Sequence, residues 1–181
     1  MITLWSGAPF DCPNTDTPTM TLRIITTGGT FDKSYDPLSG QLGFAASRLP
    51  HLLEEARLSS VPALERLMAI DSLHMEDSHR ERIAEACRAS PDNRIVIIHG
   101  TDTMVETAAV LARAGLSRTI VLTGAMVPAS ITGSDAGFNL GFALACAQTL
   151  APGVWIAMNG AVHAWDRVRK DRALGRFVAL T

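Results

Sequence analysis

The sequence of 181 residues contains very little lysine, no long hydrophobic run and few cysteines. Its only lysines are Lys33 and Lys170, against 14 arginines, so the position of each lysine is of interest. No apolar run approaches the roughly 18 residues that a membrane-spanning helix needs. Residues 1–20 lack the basic start and the sustained apolar core of a signal peptide. These absences predict a soluble, cytoplasmic protein without a membrane partner.

The three cysteines, Cys12, Cys87 and Cys146, show neither paired nor CxxC spacing. This fits a reducing compartment, with Cys87 and Cys146 as small apolar helix residues. A net charge of -2 and a pI near 6.2 give no general reason to bind nucleic acid. The spacing of four histidines does not predict a metal site either. These are His51, His74, His79 and His163.

The sequence is instead rich in apolar residues, since 47% of its residues are hydrophobic and 19% are charged. This composition disfavours disorder, and the length favours one domain. Residues 1–20 hold three prolines among polar residues, so we interpret them as a flexible leader. The remainder, 21–181, is predicted to form a single domain.

Short apolar strands alternate with amphipathic helices along that domain. Strands are predicted over 22–26, 64–70, 94–99, 119–123 and 154–158. Helices are predicted from Ser47, over 76–89, over 102–114, and from Ser134 or Asp135 to about residue 150. The segment between Thr27 and Ala46 is predicted to be a loop, too polar and broken for packed structure. The alternation predicts an α/β fold with a doubly wound, mostly parallel sheet and helices on both faces, a three-layer Rossmann- or flavodoxin-like architecture.

Ligands bind beyond the carboxyl ends of the strands in such folds, so the residues after each strand are informative. The first strand leads into a TGGT segment (27–30), whose glycines would let a ligand come close. A plain strand-to-helix turn has the same sequence requirements. No phosphate-binding GxxxxGK[ST] or GxGxxG pattern is present.

The third strand leads into HGTDT (99–103), which places two hydroxyls and a carboxylate at a helix N-terminus. Thr101 or Asp102 could instead serve only as the helix cap. His99 ends a buried strand and is expected to be a hydrogen-bonded core histidine. A threonine nucleophile needs an activating group, for which Tyr35 and Lys170 are the candidates. The charged stretch around Lys170 (166–172) is otherwise typical of a solvated loop.

Five segments together resemble the bacterial-type, threonine-dependent L-asparaginase/glutaminase family, from about residue 22 to near the end. They are TTGGTFDK (26–33), HGTDTMVETA (99–108), LTGAMVP (122–128), SDAGFNL (134–140) and the segment 158–170. TGGT and HGTDT are the two signatures of this family. The resemblance implies hydrolysis of L-asparagine to L-aspartate and ammonia, with L-glutamine as a further substrate in some members. It implies no cofactor and no metal.

The resemblance also assigns roles to residues of this chain. Thr30 matches the primary nucleophile, and Tyr35 lies in the loop that supplies the activating tyrosine. Thr101, Asp102 and Lys170 match a second group of catalytic residues in the family, a threonine, an aspartate and a lysine. Leu73 stands where many members have Gln, a departure in the recognition of the α-amino group. The implied substrate-binding residues are Gly29, Asp71, Ser72, Gly100 and Ala125.

These roles combine into a hypothesis for the reaction. Tyr35, or Lys170 acting through Thr101, accepts a proton while Thr30 or a water attacks the amide carbon. Asp102 accepts hydrogen bonds from the α-ammonium group. Ser72 and the backbone of Gly29 and Thr30 hold the α-carboxylate, and backbone N–H groups near Thr101 hold the oxyanion. A covalent intermediate and direct attack by water both remain open.

The usual members of the family carry a second, C-terminal domain, and we expect this protein to lack it. We therefore interpret the chain as a short form, expect a homo-oligomer (dimer or tetramer), and expect a high KM from the missing contacts. Three alternatives remain: a glutaminase, the amidase half of a tRNA-dependent amidotransferase, and a non-catalytic amino-acid-binding module.

Overall fold

The structure is a computed structural model, which describes residues 21–44 and 46–180. The predicted leader 1–20 and Cys12 lie outside these residues. Within them the strands in chain order are β1 (Leu22–Gly28), β2 (Lys33–Asp36), β3 (Gln41–Phe44), β4 (Ala63–Ile70), β5 (Arg94–Ile98), β6 (Thr119–Thr123), β7 (Gly153–Met158), β8 (Ala161–Ala164), β9 (Val168–Asp171) and β10 (Arg176–Ala179). The helices are α1 (Leu49–Glu55), α2 (Asp77–Ala89), α3 (Met104–Arg113) and α4 (Ala136–Thr149).

A six-stranded sheet forms the centre of the fold, in the order β4-β1-β5-β6-β7-β8. The first five strands run parallel, and β8 is antiparallel to β7. The five parallel strands are the five that the hydrophobic pattern predicts. The strand order reverses direction between β1 and β5, and such a switch point opens a crevice at the carboxyl ends of the strands.

Alternate side chains of the sheet enter two separate cores. In β5, Ile95 and Ile97 join the core beneath α2 and α3, whereas Val96 and Ile98 join the core beneath α1 and α4. All four are fully buried. Such continuous burial explains the apolar strand sequences, because a parallel sheet is covered on both faces. The predicted doubly wound α/β fold with helices on both faces is confirmed.

The predicted loop between Thr27 and Ala46 is wrong. A 3-10 turn (Thr30–Asp32) is followed by the β2–β3 hairpin, in which Lys33 pairs with Phe44. The connection is stabilised by the Asp36 carboxylate, which accepts bonds from the Leu38 N–H and the Ser39 hydroxyl. This hairpin is largely exposed, so its strands carry no hydrophobic period from which they could be predicted.

The segment 166–172 is not the solvated loop that its composition alone would suggest. Val168–Asp171 forms β9, which pairs antiparallel with β10. Val168 and Phe177 of this second hairpin are buried in the core beneath α2 and α3. Strands of four residues are too short for a clear alternation, which is why the pattern missed them and β8 as well.

Most helix predictions are close to the observed bounds. Ser47 accepts a bond from the Leu49 N–H at 3.2 Å, two residues before α1 begins. Asp102 does not cap α3, since Thr103 holds the N-cap position and no side chain there makes a capping hydrogen bond.

Cys87 and Cys146 are buried helix residues as predicted, and burial raises the pKa of Cys87 to about 12. None of the helices in the described part is both long and apolar enough to cross a membrane.

Candidate active site

Three loops meet at the carboxyl ends of β1, β4 and β5, and glycines make the close approach possible. Gly29 has a positive φ of 72°, and a Cβ there would overlap the backbone of Gly100. A Cβ on Gly100 would in turn lie 2.5 Å from the Ser72 Oγ. Gly29 and Gly100 therefore bring the TGGT and HGTDT segments into contact at the switch point between β1 and β5.

Ser72 lies at the centre of this contact. It begins the 3-10 turn after β4, is 1% exposed, and its carbonyl accepts a bond from the Thr103 hydroxyl at 2.8 Å. Its own Oγ is buried without a hydrogen-bond partner among the described residues. A buried hydroxyl without a partner is costly, which fits a group that awaits a ligand.

Lys170 reaches the same edge of the sheet from β9. Its Nζ donates to the Thr101 Oγ1 at 2.7 Å and to the Asp102 Oδ1 at 2.8 Å. The side chain of Lys170 is 10% exposed and that of Asp102 is 33% exposed. The structure thus brings Thr101, Asp102 and Lys170 together, although Lys170 is 68 positions from Asp102 in the chain.

Asp102 faces a second cation, since the Arg172 Nε lies 4.0 Å from the same Oδ1. Asp102 and Lys170 also line a cavity of about 430 Å³ between α3 and β9, together with Arg169 and Arg172. Asp102 therefore occupies a site that is open to solvent. No donor among the described residues contacts its Oδ2, so this oxygen can accept from a ligand.

His99 lies beneath this cluster and is fully buried. Burial lowers the pKa of His99 to about 4, against the opposing effect of its bond to Gly100. Since the neutral ring has one N–H, Nδ1 donates to the Gly100 carbonyl at 2.7 Å and Nε2 accepts from the Thr107 hydroxyl at 2.8 Å. The expectation of a hydrogen-bonded core histidine is confirmed. Because C=O and N–H point in opposite directions across a trans peptide, the Thr101 N–H points away from this ring.

The loop after β6 is organised around Asp135. Its carboxylate accepts bonds from the backbone N–H groups of Met126 and Val127. The buried Asn139 amide donates to both the Asp135 carboxylate and the Gly124 carbonyl. Ala125, between these anchored residues, is 1% exposed. The SDAGFNL segment thus positions Ala125, a role that the motif alone did not reveal.

Thr30 and Tyr35 are placed differently from the buried cluster. Thr30 begins the 3-10 turn directly after Gly29 and is half-buried. Tyr35 lies on β2 and is 62% exposed. Among the described hydrogen bonds none involves its hydroxyl. The structure therefore does not bring Tyr35 into contact with Thr101, Asp102 or Lys170.

Lys33 has no role among the predicted site residues, yet its Nζ donates to the Asp71 Oδ2. Burial alone would raise the pKa of Asp71, but the Lys33 ammonium and the Leu73 N–H outweigh it and lower that pKa. The only signal in the sequence was the scarcity of lysine. Leu73 itself is 59% exposed.

The described residues contain no group of three or more His, Cys, Asp or Glu side chains that could hold a metal ion.

The model of the asparaginase N-terminal domain family matches residues 21–177 of the chain. The L-asparaginase of Thermococcus kodakarensis is 30% identical over 161 residues, which cover 86% of this chain and 49% of that protein. A glutamyl-tRNA(Gln) amidotransferase component of Pyrococcus furiosus is 35% identical over 176 residues, with 87% and 39% covered. The chain thus spans about half, or less, of the length of these relatives.

A comparison with solved structures also finds L-asparaginases. The thermostable L-asparaginase from T. kodakarensis superposes with a TM-score of 0.79 at 28% identity, covering 88% of this chain and 51% of the other. A probable cytoplasmic L-asparaginase from Campylobacter jejuni gives a TM-score of 0.75 at 29% identity, covering 88% and 52%.

Proposed function

Because the chain belongs to the asparaginase family, we propose that it is an amidohydrolase that converts L-asparagine and water to L-aspartate and ammonia. The family match also confirms the resemblance that the motifs indicated. The observation that carries the proposal is the contact of the Lys170 Nζ with the Thr101 Oγ1 at 2.7 Å and the Asp102 Oδ1 at 2.8 Å. This contact links the HGTDT signature to a lysine from a distant hairpin.

The substrate is small and has charges at one end, so its orientation depends on paired charges and hydrogen bonds. Asp102 accepts bonds from the α-ammonium group through the oxygen that Lys170 leaves available. The unpartnered Ser72 Oγ donates to the α-carboxylate. The Ala125 carbonyl accepts from the side-chain amide, at a position that Asp135 and Asn139 fix.

The Thr30 hydroxyl, or a water beside it, attacks the amide carbon, the C–N bond breaks, and the proton of the attacking group passes to the amide nitrogen, which leaves as ammonia. Where Thr30 is the attacking group, water then hydrolyses the resulting ester and releases L-aspartate. Thr101 and Lys170 provide the route for the proton, because lysine can exchange protons in a way that arginine cannot. The oxyanion is held by backbone N–H groups near Thr101, and the His99 bond to Gly100 keeps this peptide oriented. One such donor contributes roughly 3–4 kcal/mol in comparable sites.

Tyr35 would activate Thr30 in the closed form of the site. Its 62% exposure requires the β2–β3 hairpin to move toward Thr30 when substrate binds. Loop closure of this kind is common in enzymes that exclude water from the reaction.

A second candidate is hydrolysis of an amide other than that of asparagine. The relatives named as glutamyl-tRNA(Gln) amidotransferase components favour it, since they are as similar to this chain as the asparaginases are. The glutaminase and amidotransferase alternatives therefore stay open, and both use the same cluster.

We also propose that the protein forms a homo-oligomer and is located in the cytoplasm. Phe138 is 63% exposed and stacks on Phe142 with ring centroids 6.4 Å apart, which leaves apolar surface for a second copy. Light scattering coupled to size-exclusion chromatography gives the number of copies directly.

The test is ammonia release from L-Asn, L-Gln and D-Asn by wild type and by Thr30→Val, with Thr30→Ser as the matched control. We expect L-Asn to be the best substrate, Thr30→Val to be inactive and Thr30→Ser to keep partial activity. Preference for L-Gln would favour the second candidate. Absence of release from all three amides would contradict the amidohydrolase, and full activity of Thr30→Val would remove Thr30 as the nucleophile.

A further inference from the structure

Lys33 contacts three neighbouring segments, two through its side chain and one through its backbone carbonyl. It begins β2, three residues after Thr30 and two before Tyr35. Its Nζ donates to the Asp71 Oδ2, a contact that spans 38 positions of the chain. The ammonium also lies 5.9 Å from the centre of the Phe44 ring on the paired strand. Its carbonyl accepts from the Ser130 hydroxyl at 3.0 Å, in the loop after β6.

Asp71 connects Lys33 to the buried hydroxyl of Ser72. The second oxygen of Asp71 accepts from the Leu73 N–H at 3.1 Å and so caps the turn that begins with Ser72. The Asp71 side chain is 24% exposed and that of Lys33 21% exposed, so water screens this pair only in part. A charged carboxylate thus lies one residue from a hydroxyl that has no partner among the described residues.

We infer that Lys33 is a positioning residue for substrate carboxylate binding: its ammonium neutralises Asp71 and holds the Ser72 turn against the hairpin that carries Tyr35. This inference rests on the proposed function, because it takes the ligand of Ser72 to be an α-carboxylate. Without Lys33, the charge of Asp71 repels that carboxylate. The effect is on binding of the substrate and only weakly on the chemical step, since Lys33 touches neither Thr101 nor Lys170 among its described contacts.

Steady-state kinetics of ammonia release from L-Asn test the inference. We expect Lys33→Met to raise KM about tenfold while kcat changes less than about threefold. Lys33→Arg keeps the charge and should recover most of the wild-type KM. Adding Asp71→Asn to Lys33→Met removes the uncompensated charge and should lower KM again.

Arg23→Met is the matched control. Arg23 is 20% exposed and pairs with Glu65 and Asp92 at the opposite end of β1. We expect this variant to lower Tm and leave KM unchanged. The inference is overturned if Lys33→Met keeps the wild-type KM, if Arg23→Met raises KM as much, or if neither Lys33→Arg nor the added Asp71→Asn lowers it.

A separate measurement distinguishes this inference from the proposed function. If wild type releases no ammonia from L-Asn, the proposed function fails. Calorimetric measurement of L-aspartate binding to the same variants then tests whether Lys33 supports carboxylate binding. Binding about tenfold weaker in Lys33→Met than in wild type supports the inference. Equal binding by both, or no binding by wild type, overturns it.

Discussion

The two lysines of the chain occupy comparable positions in different hairpins. Lys33 lies on the β2–β3 hairpin and pairs with Asp71 after β4, whereas Lys170 lies on the β9–β10 hairpin and pairs with Asp102 after β5. Each ion pair connects a short β-hairpin to the edge of the central sheet where the parallel strands have their carboxyl ends. Lys170 also contacts a hydroxyl, that of Thr101. The ammonium of Lys33 contacts no hydroxyl among the described residues.

This difference separates two uses of a lysine. At Lys33 a positive charge is sufficient, because the ammonium only has to neutralise and hold a carboxylate. At Lys170 the proposed chemistry needs a proton that can move to and from Thr101. The charge-conserving substitution to arginine therefore distinguishes the two positions.

Lys170→Arg gives the largest expected effect. Arginine keeps the charge beside Asp102 but does not exchange its proton, so we expect kcat for L-Asn to fall on the order of 10³-fold. The measurement is steady-state ammonia release at saturating substrate. Lys33→Arg is the control and should keep kcat within about threefold of wild type. Equal losses in both variants would contradict the distinction between the two lysines.

The buried histidine beneath the Lys170 pair predicts a pH-dependent stability. The pKa of His99 is lowered to about 4, so between that value and roughly 6.5 the unfolded chain binds a proton that the folded chain does not. Stability therefore falls as the pH falls through this window, by on the order of 3 kcal/mol. Denaturant unfolding of wild type and His99→Asn at several pH values measures it. A slope in the variant as steep as in wild type would remove His99 as the cause.

The Lys33 pair predicts a smaller change with a different pH window. Asp71→Asn should lower the free energy of unfolding by about 1 kcal/mol at neutral pH, since the pair is partly buried. Because the folded-state pKa of Asp71 is lowered, this contribution is complete above the unfolded pKa of about 4 and is lost as the pH falls through the folded value. Unfolding curves at pH 7 and pH 3 measure the difference. A stability difference that persists unchanged at pH 3 would contradict the ion pair.

The five parallel strands and the two motifs at their carboxyl ends could be predicted from the hydrophobic pattern, whereas the grouping of Lys170 with Thr101 and Asp102 was implied only by the family resemblance. Strands that are buried on both faces read as apolar runs, and TGGT and HGTDT follow two of them. The two hairpins could not be predicted in this way, since their strands are four residues long and the first is largely exposed. Lys33 was missed for the same reason, because its partner Asp71 is joined to it only by the fold.

If Lys170 acts on the reaction through Thr101, a methionine in its place removes the group that exchanges the proton. The measurement is kcat for ammonia release from L-Asn by wild type and Lys170→Met, with Tm recorded for both. We predict that kcat falls on the order of 10³-fold or more while the variant still unfolds cooperatively. A folded Lys170→Met that releases ammonia at the wild-type rate would show that Lys170 takes no part in the reaction.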